Sequence, residues 1–184
     1  MNNNLFAGQL VRLAAPNPET NAEAIARWSL DTEYHRLGDD GLAYPESARK
    51  VRERMERDND RNFGFAIRLL HDDRLIGGIG VWIASWADGE GWVGIGIGER
   101  DCWSKGYGTE AMRLMLRFAF DELNLERVSL GVYAHNSRAI RSYEKAGFRR
   151  EGLVRSDCRR DGQRWDTVFM GILREEWLTM NNVQ

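Results

Sequence analysis

The stretch that most constrains this chain runs from Trp92 to Met112: Trp-Val-Gly-Ile-Gly-Ile-Gly-Glu-Arg-Asp-Cys-Trp-Ser-Lys-Gly-Tyr-Gly-Thr-Glu-Ala-Met. It reads as a strand, a glycine-bearing loop and the first turn of an amphipathic helix. A junction of this kind directs free backbone N–H groups at one spot, where the helix dipole is positive. Gly106 and Gly108 let an anion come close to the backbone. A phosphate-bearing cofactor is therefore expected at this junction, in a fold that sets a helix behind a sheet.

Two cofactor classes compete. Gly106-Tyr107-Gly108-Thr109-Glu110-Ala111 matches the dinucleotide pattern G-x-G-x-x-A. That pattern calls for an acidic residue about 20 positions on, at the end of the next strand. The next strand, Arg127 to Tyr133, ends without a carboxylate. The remaining chain is also too short for the further βα units of a doubly wound domain.

A second motif decides the matter. Asn136-Ser137-Arg138-Ala139-Ile140-Arg141-Ser142-Tyr143-Glu144-Lys145-Ala146-Gly147-Phe148 follows the next strand. With Trp103 to Ala111 it resembles the GNAT superfamily of acetyl-CoA-dependent N-acetyltransferases. Within that superfamily it is similar to the branch of ribosomal-protein N-terminal and spermidine acetyltransferases. The resemblance is strongest from Trp92 to Phe148. It implies an α+β fold: a mixed, mostly antiparallel sheet flanked by helices, with splayed fourth and fifth strands. It implies acetyl-CoA as cosubstrate, without a metal. Backbone groups of Ile95, Gly96 and Ile97 would meet the pantetheine arm, and those of Ser104, Lys105, Gly106, Tyr107, Gly108 and Thr109 the pyrophosphate, with Lys105 adding charge. Asn136 and Tyr143 would complete the cofactor site.

With 184 residues, one domain over 1–184 is expected, and the net charge of −2 gives no attraction to nucleic acid or membrane. No apolar run approaches the roughly 20 residues of a membrane span. The polar start lacks a signal-peptide pattern, and two cysteines make no disulfide framework, so a cytoplasmic setting is expected. A homodimer is left open.

The patterning gives the order β-α-α-β-β-β-α-β-α-β-β. Gly8 to Ala14 is a strand. Pro16-Asn17-Pro18 opens a helix to about Leu30, and Asp31 to Ala43 reads as irregular, with turns at Gly38 and Gly41. A charged helix runs from Pro45 to about Asp58, and Val51 and Met55 form an apolar pair on it. Phe63 to Leu70 and Leu75 to Trp86 form a hairpin, followed by a strand over Trp92 to Gly98 and a helix from about Gly106 to Leu123. A strand over Arg127 to Ala134 and a helix over Ser137 to Ala146 come next. Gly147 stands where a left-handed C-cap is expected, and Asp161-Gly162 joins the last two strands, Phe148 to Arg159 and Arg164 to Leu173.

In the strand after Trp92, Gly94, Gly96 and Gly98 fall on one face, and Val93, Ile95 and Ile97 on the other. The bare face admits either a ligand or a neighbouring helix. Asn136 and Tyr143 lie two turns apart and share one side of their helix; Asn136 can also cap it. The resemblance makes Tyr143 the acid that protonates the departing thiolate, a role open to a phenol of pKa about 10. The attacking amine must lose a proton. Many relatives carry Glu near the start of the fourth strand, where this chain has Trp92. Glu90, two residues earlier and on the same face, is the side-chain candidate for the base, and water is the alternative. A backbone N–H around Ile95 to Ile97 would hold the oxyanion.

The three histidines lack metal-ligand spacing, and no histidine is placed to activate Cys102. Direct transfer to a primary amine is therefore expected. The acceptor is a protein N-terminus, an amino acid, a polyamine or another small amine. Asp31, Glu33, Asp39 and Asp40 would suit a polycation; Arg155, Arg159, Arg160 and Arg164 would suit a carboxylate. A catalytically weak module that only binds CoA is the alternative, resting on Trp92 in place of an acid.

Overall fold

A computed structural model describes residues 4–38, 43–57 and 60–182. In chain order the elements are β1 (Val11–Ala14), α1 (Pro18–Trp28), α2 (Thr32–Gly38), α3 (Ala48–Met55), β2 (Asn62–Leu69), β3 (Leu75–Ser85) and β4 (Glu90–Ile97). A short 3-10 turn at Arg100–Cys102 leads to α4 (Tyr107–Asp121), β5 (Arg127–Tyr133), α5 (Ser137–Ala146), β6 (Arg149–Arg160), β7 (Gln163–Leu173) and α6 (Arg174–Asn182). The seven strands form one sheet in the order β1-β2-β3-β4-β5-β7-β6. Only β4 and β5 pair in parallel, so the sheet is mixed and mostly antiparallel.

The β4–β5 ladder has three rungs: Glu90 with Arg127, Gly91 with Val128, and Trp92 with Ser129. Beyond Trp92 the strands part. This is the splay that the resemblance implied, and it opens the middle of the sheet. The two sides of β4 face different helices. Gly108 in the first turn of α4 lies near Ile95 and Ile97, while Tyr34 of α2 and Trp28 of α1 press on Gly96 and Gly98. Helices thus cover both sheet faces.

The core lies between the sheet and α4. Met112, Met115, Leu116 and Ala119 are fully buried, as their common helical face requires, and Phe120 joins them. Each large side chain so buried contributes about 1.5–3 kcal/mol. Capping sets the helix ends: the Asn17 side chain accepts from Glu19 N and Thr20 N, and Ser47 accepts from Lys50 N. Gly147 takes φ 110 and ends α5 as expected.

Three expectations change. The stretch after Asp31 holds α2, because the Asp31 carboxylate accepts from Glu33 N and Tyr34 N, both at 3.1 Å, and so starts a helix. This helix buries no residue, so it leaves no periodicity to read. The charged helix starts at Ala48 rather than Pro45, because Ser47 caps it. Its expected end at Asp58 and the turn at Gly41 lie outside the described residues. α6 was not expected; Trp177 packs its ring on Phe120 at 5.4 Å between centroids.

Glu110, inside the G-x-G-x-x-A match, has a structural task. Its carboxylate accepts from Gln9 N (2.9 Å), Leu10 N (2.8 Å) and Val11 N (2.7 Å), pinning the start of β1 to α4. Glu110→Gln replaces one acceptor oxygen with a donor facing backbone N–H groups. It should lower stability by about 1.5–3 kcal/mol, the scale of a charge-assisted hydrogen bond. A urea midpoint equal to wild type, with unchanged slope, would contradict this.

Candidate active site

The gap between β4 and β5 widens into a cleft of about 780 Å³, lined by β4, the loop before α4, α5, the end of β5, β7, β6 and α2. Its backbone donors follow from strand alternation. Gly98 N donates to Ile76 O of β3 (2.9 Å), so that amide faces away from the cleft. The Trp103 indole Nε1 donates to Ile97 O at 2.7 Å, so the Ile97 carbonyl points the other way. In an antiparallel strand the N–H and C=O of one residue point to the same side, and alternate residues reverse. The N–H groups of Ile95 and Ile97 therefore face the cleft, past the last rung of the β4–β5 ladder. Gly96 faces β3 through its backbone, and its lack of a side chain makes room for Tyr34. At Gly96 and Gly98 the bare strand face admits helical aromatics, whereas at Gly94 a side chain would meet nothing within 4 Å.

The loop before α4 is built for an anion. Ser104 (φ 61) and Gly106 (φ 88) are both left-handed. Such turns point successive N–H groups inward, here into the start of a helix. Ser104, Gly106, Tyr107, Gly108 and Thr109 all line the cleft; Lys105 is exposed on the loop and does not. Thr109 Oγ1 and Ser142 Oγ lie 2.8 Å apart and tie α4 to α5.

One face of α5 completes this end. Asn136 caps the helix, its Oδ1 accepting from Ala139 N (3.1 Å), while its Nδ2 donates to Leu37 O of α2 (3.0 Å). It lines the cleft while both ends of its amide are engaged within the chain. Arg138 stacks on the Trp103 ring at 3.6 Å from the centroid. Burial pushes the Arg138 guanidinium below its usual value, and no ion pair to it is present among the described residues. A cation in the first turn of a helix opposes the dipole. A bound anion would reverse that penalty, and Arg141 and Lys145 extend the positive face along the cleft. The sequence reading missed Arg138, Ser142 and Lys145; Arg138 and Lys145 are themselves two turns apart, on a face of α5 rotated from that of Asn136 and Tyr143.

Tyr143 lines the cleft between these cations and β4. Burial raises its phenol to about 12. No hydrogen bond to its hydroxyl is present among the described residues. Glu90 begins β4, is exposed and lies outside the cleft lining. The acidic side of the expected acceptor groove is largely engaged. Arg100 bonds Asp31 at 2.5 and 2.7 Å and Glu33 at 2.7 Å, and that hydrogen bonding holds the Asp31 carboxyl at about 2. Asp39 and Asp40 lie outside the described residues. Arg159 and Arg160 line the cleft, while Arg155 and Arg164 do not. Among the described residues no group of three or more His, Cys, Asp or Glu gathers as metal ligands, and no helix is long and apolar enough to cross a membrane.

Splayed central strands with free amides, an anion-binding loop and a cationic helix face define a protein that holds a long, phosphate-bearing acyl carrier through the sheet. The acetyltransferase (GNAT) domain model matches residues 11–149. The probable N-acetyltransferase YjcK of Bacillus subtilis is 36% identical over 69% of this chain and 69% of its own length. The SPbeta prophage-derived uncharacterized N-acetyltransferase YokL of the same organism is 30% identical over 94% of each chain. The putative ribosomal N-acetyltransferase YdaF, also from Bacillus subtilis, is 30% identical over 72% of this chain and 74% of its own. In fold, the chain is similar to the spermidine N-acetyltransferase of Vibrio cholerae in complex with CoA and spermine, with a TM-score of 0.82 at 21% identity, over 91% of this chain and 98% of that one. The chain belongs to the GNAT acetyltransferase family and is an acyltransferase whose donor is acetyl-CoA.

Gly108 and Arg138 give the test of the phosphate end. A Cβ at Gly108 would meet only ordinary contacts, at 3.8–3.9 Å, so Gly108→Val should fold. Its bulk should block approach to the loop amides, and Arg138→Gln should remove one charged contact. Each should weaken CoA binding roughly 10- to 100-fold by calorimetry, the equivalent of about 1.5–3 kcal/mol. Wild-type affinity in both variants would remove this loop and helix from the site.

Proposed function

We propose that the protein transfers an acetyl group directly from acetyl-CoA to a primary amine, with Tyr143 as the proton donor to the leaving sulfur. The observation that carries this reading is the break in the β4–β5 ladder. It leaves the Ile95 and Ile97 amides and Tyr143 facing one cleft whose far end carries the left-handed loop before α4 and Arg138. Bound acetyl-CoA supplies an electrophilic thioester carbonyl and a thiolate leaving group.

The chain's residues meet the three demands of that reaction. An amide of Ile95 or Ile97 donates to the carbonyl oxygen as negative charge develops there. The amine, with an ordinary pKa near 10.4, must be deprotonated, at a cost of about 4 kcal/mol at neutral pH. Glu90 shares the strand face of Trp92 but lies outside the cleft, so it takes this proton through water. As the carbon–nitrogen bond forms and the carbon–sulfur bond breaks, the Tyr143 hydroxyl gives its proton to the sulfur. At about 12, the phenol stays protonated throughout the neutral range. An ordinary thiol near 8.5 would be a poor match for so weak an acid, but burial raises the sulfur's affinity for a proton as well.

The acceptors named for YdaF and for the Vibrio cholerae enzyme differ, but both offer amines, and a primary amine is the class that covers them. Neither cysteine is needed: Cys102 and Cys158 are buried, and burial raises the Cys102 thiol, which disfavours the nucleophilic thiolate.

Tyr143→Phe keeps the ring and removes the proton. The single-turnover rate should fall about 10²- to 10⁴-fold, with little change in CoA affinity or melting temperature. The loss should shrink with an acyl donor whose leaving thiol is more acidic. A wild-type rate in the variant would return Tyr143 to a packing role. CoA binding without thiol release on any amine would overturn the transfer itself.

A further inference from the structure

The sheet face opposite α4 carries exposed aromatics that the reaction above does not use. Trp82 of β3 and Trp92 of β4 are cross-strand partners, 47% and 38% exposed. Trp92 meets Phe169 of β7 edge-on at 5.9 Å between centroids, across the gap between β4 and β5. Phe169 lines the cleft, so the aromatic wall runs from open sheet into it. The floor beside that wall is flat. Gly64, Gly80 and Gly94 are successive cross-strand partners on β2, β3 and β4, and Gly94 also lines the cleft. A side chain at Gly64 or Gly94 would meet nothing within 4 Å.

A second observation lies at the inner end. Thr167, also on the cleft wall and two residues from Phe169, is 6% exposed, and its buried Oγ1 has no hydrogen-bond partner among the described residues. A buried hydroxyl left unpaired is costly, so it marks where a ligand's polar atom belongs. Charge narrows the ligand further. With Arg138, Arg141 and Lys145 facing the phosphates of the carrier, the described residues lining the rest of the cleft carry Arg159 and Arg160 against a single carboxylate, Asp157. Asp31 and Glu33 are held by Arg100. A second ammonium on the acceptor would meet net repulsion.

We infer that this trough is the acceptor site and that it selects a primary amine carried on an uncharged, apolar body, with the body against Trp82 and Trp92 and the amine end at Thr167. The inference rests on the amine-acetylation reading and names the substrate class for it. Aromatic walls reward a flat apolar group with area burial and ring contacts. The Thr167 hydroxyl oxygen accepts from the amine N–H, leaving the nitrogen lone pair for the thioester. Among the described residues a polyamine finds one lining carboxylate, Asp157, for its further charges.

The test compares 4-phenylbutylamine, n-propylamine and spermidine as acceptors. 4-Phenylbutylamine should give the highest kcat/KM, about tenfold or more above the others. Trp92→Ala and Trp82→Ala should raise its KM several-fold more than that of n-propylamine, while CoA affinity confirms the fold. Thr167→Val, which keeps the side chain's shape, should raise KM for both monoamines. A preference for spermidine, or equal effects of the tryptophan variants on all three amines, would overturn the inference. Calorimetry with N-acetyl-4-phenylbutylamine and the CoA-saturated protein separates this claim from the transfer reaction. Tryptophan-dependent binding with no turnover would sink the reaction and keep the trough. Turnover with tryptophan-independent binding would do the reverse.

Discussion

The parallel pairing of β4 and β5 stops after Trp92 and Ser129, and the function of the fold follows from that stop. A longer ladder would join Ile95 and Ile97 to β5 and close the sheet. Here the Ile97 carbonyl, which β5 would otherwise satisfy, accepts from the Trp103 indole instead. The same ring carries Arg138. One tryptophan therefore caps the open end of the strand and supports the cation that faces the phosphate loop. The remaining amides in the gap must be paired by something, because buried backbone groups rarely stay orphaned. In the proposed reading an acyl carrier threaded through the sheet does this, and its ordering there would bring the thioester to Tyr143.

The two sheet faces divide the work. On one side α4 and α5 provide the core, the proposed anion site and the proposed proton donor, Tyr143. On the other, α1 and α2 lean Trp28 and Tyr34 onto Gly98 and Gly96 and leave Gly94 open beside the aromatic wall. Polar contacts hold α2 to this task beside the Tyr34 ring: Asp31 starts it, Arg100 grips Asp31 and Glu33, and Asn136 bonds its last turn through Leu37 O. A segment with no buried residue can be positioned firmly in this way. It stays separable from the core, which suits an element that borders a substrate site.

Local chemistry was legible in the sequence, and long-range pairing was not. The bounds of α5 were readable because Asn136 and Gly147 announce them, and the last hairpin because Asp161-Gly162 can turn. The turn into α4 was readable because Gly106 and Gly108 stand at a strand–helix junction, and Gly106 takes the left-handed conformation there. By contrast, the capture of Asp31 and Glu33 by Arg100 joins residues about 70 positions apart and leaves no local trace. α6 has only weak amphipathic patterning and is fixed by Trp177 on Phe120. Gly94, Gly96 and Gly98 looked equivalent, yet the last two make room for aromatics from separate helices, and only Gly94 stays open. Arg138 could have been found from its place alone: it stands in the first turn of α5, where a cation opposes the dipole and a local cost signals a ligand.

The central claim is that the acyl carrier takes the place of the missing β4–β5 rungs. Amide hydrogen exchange along β4, with and without acetyl-CoA, tests it most directly. The account predicts new protection at Ile95 and Ile97 on binding, and little change at Gly94 and Gly96, whose amides already face β3. Saturating acetyl-CoA that leaves Ile95 and Ile97 exchanging as in the free protein would contradict it.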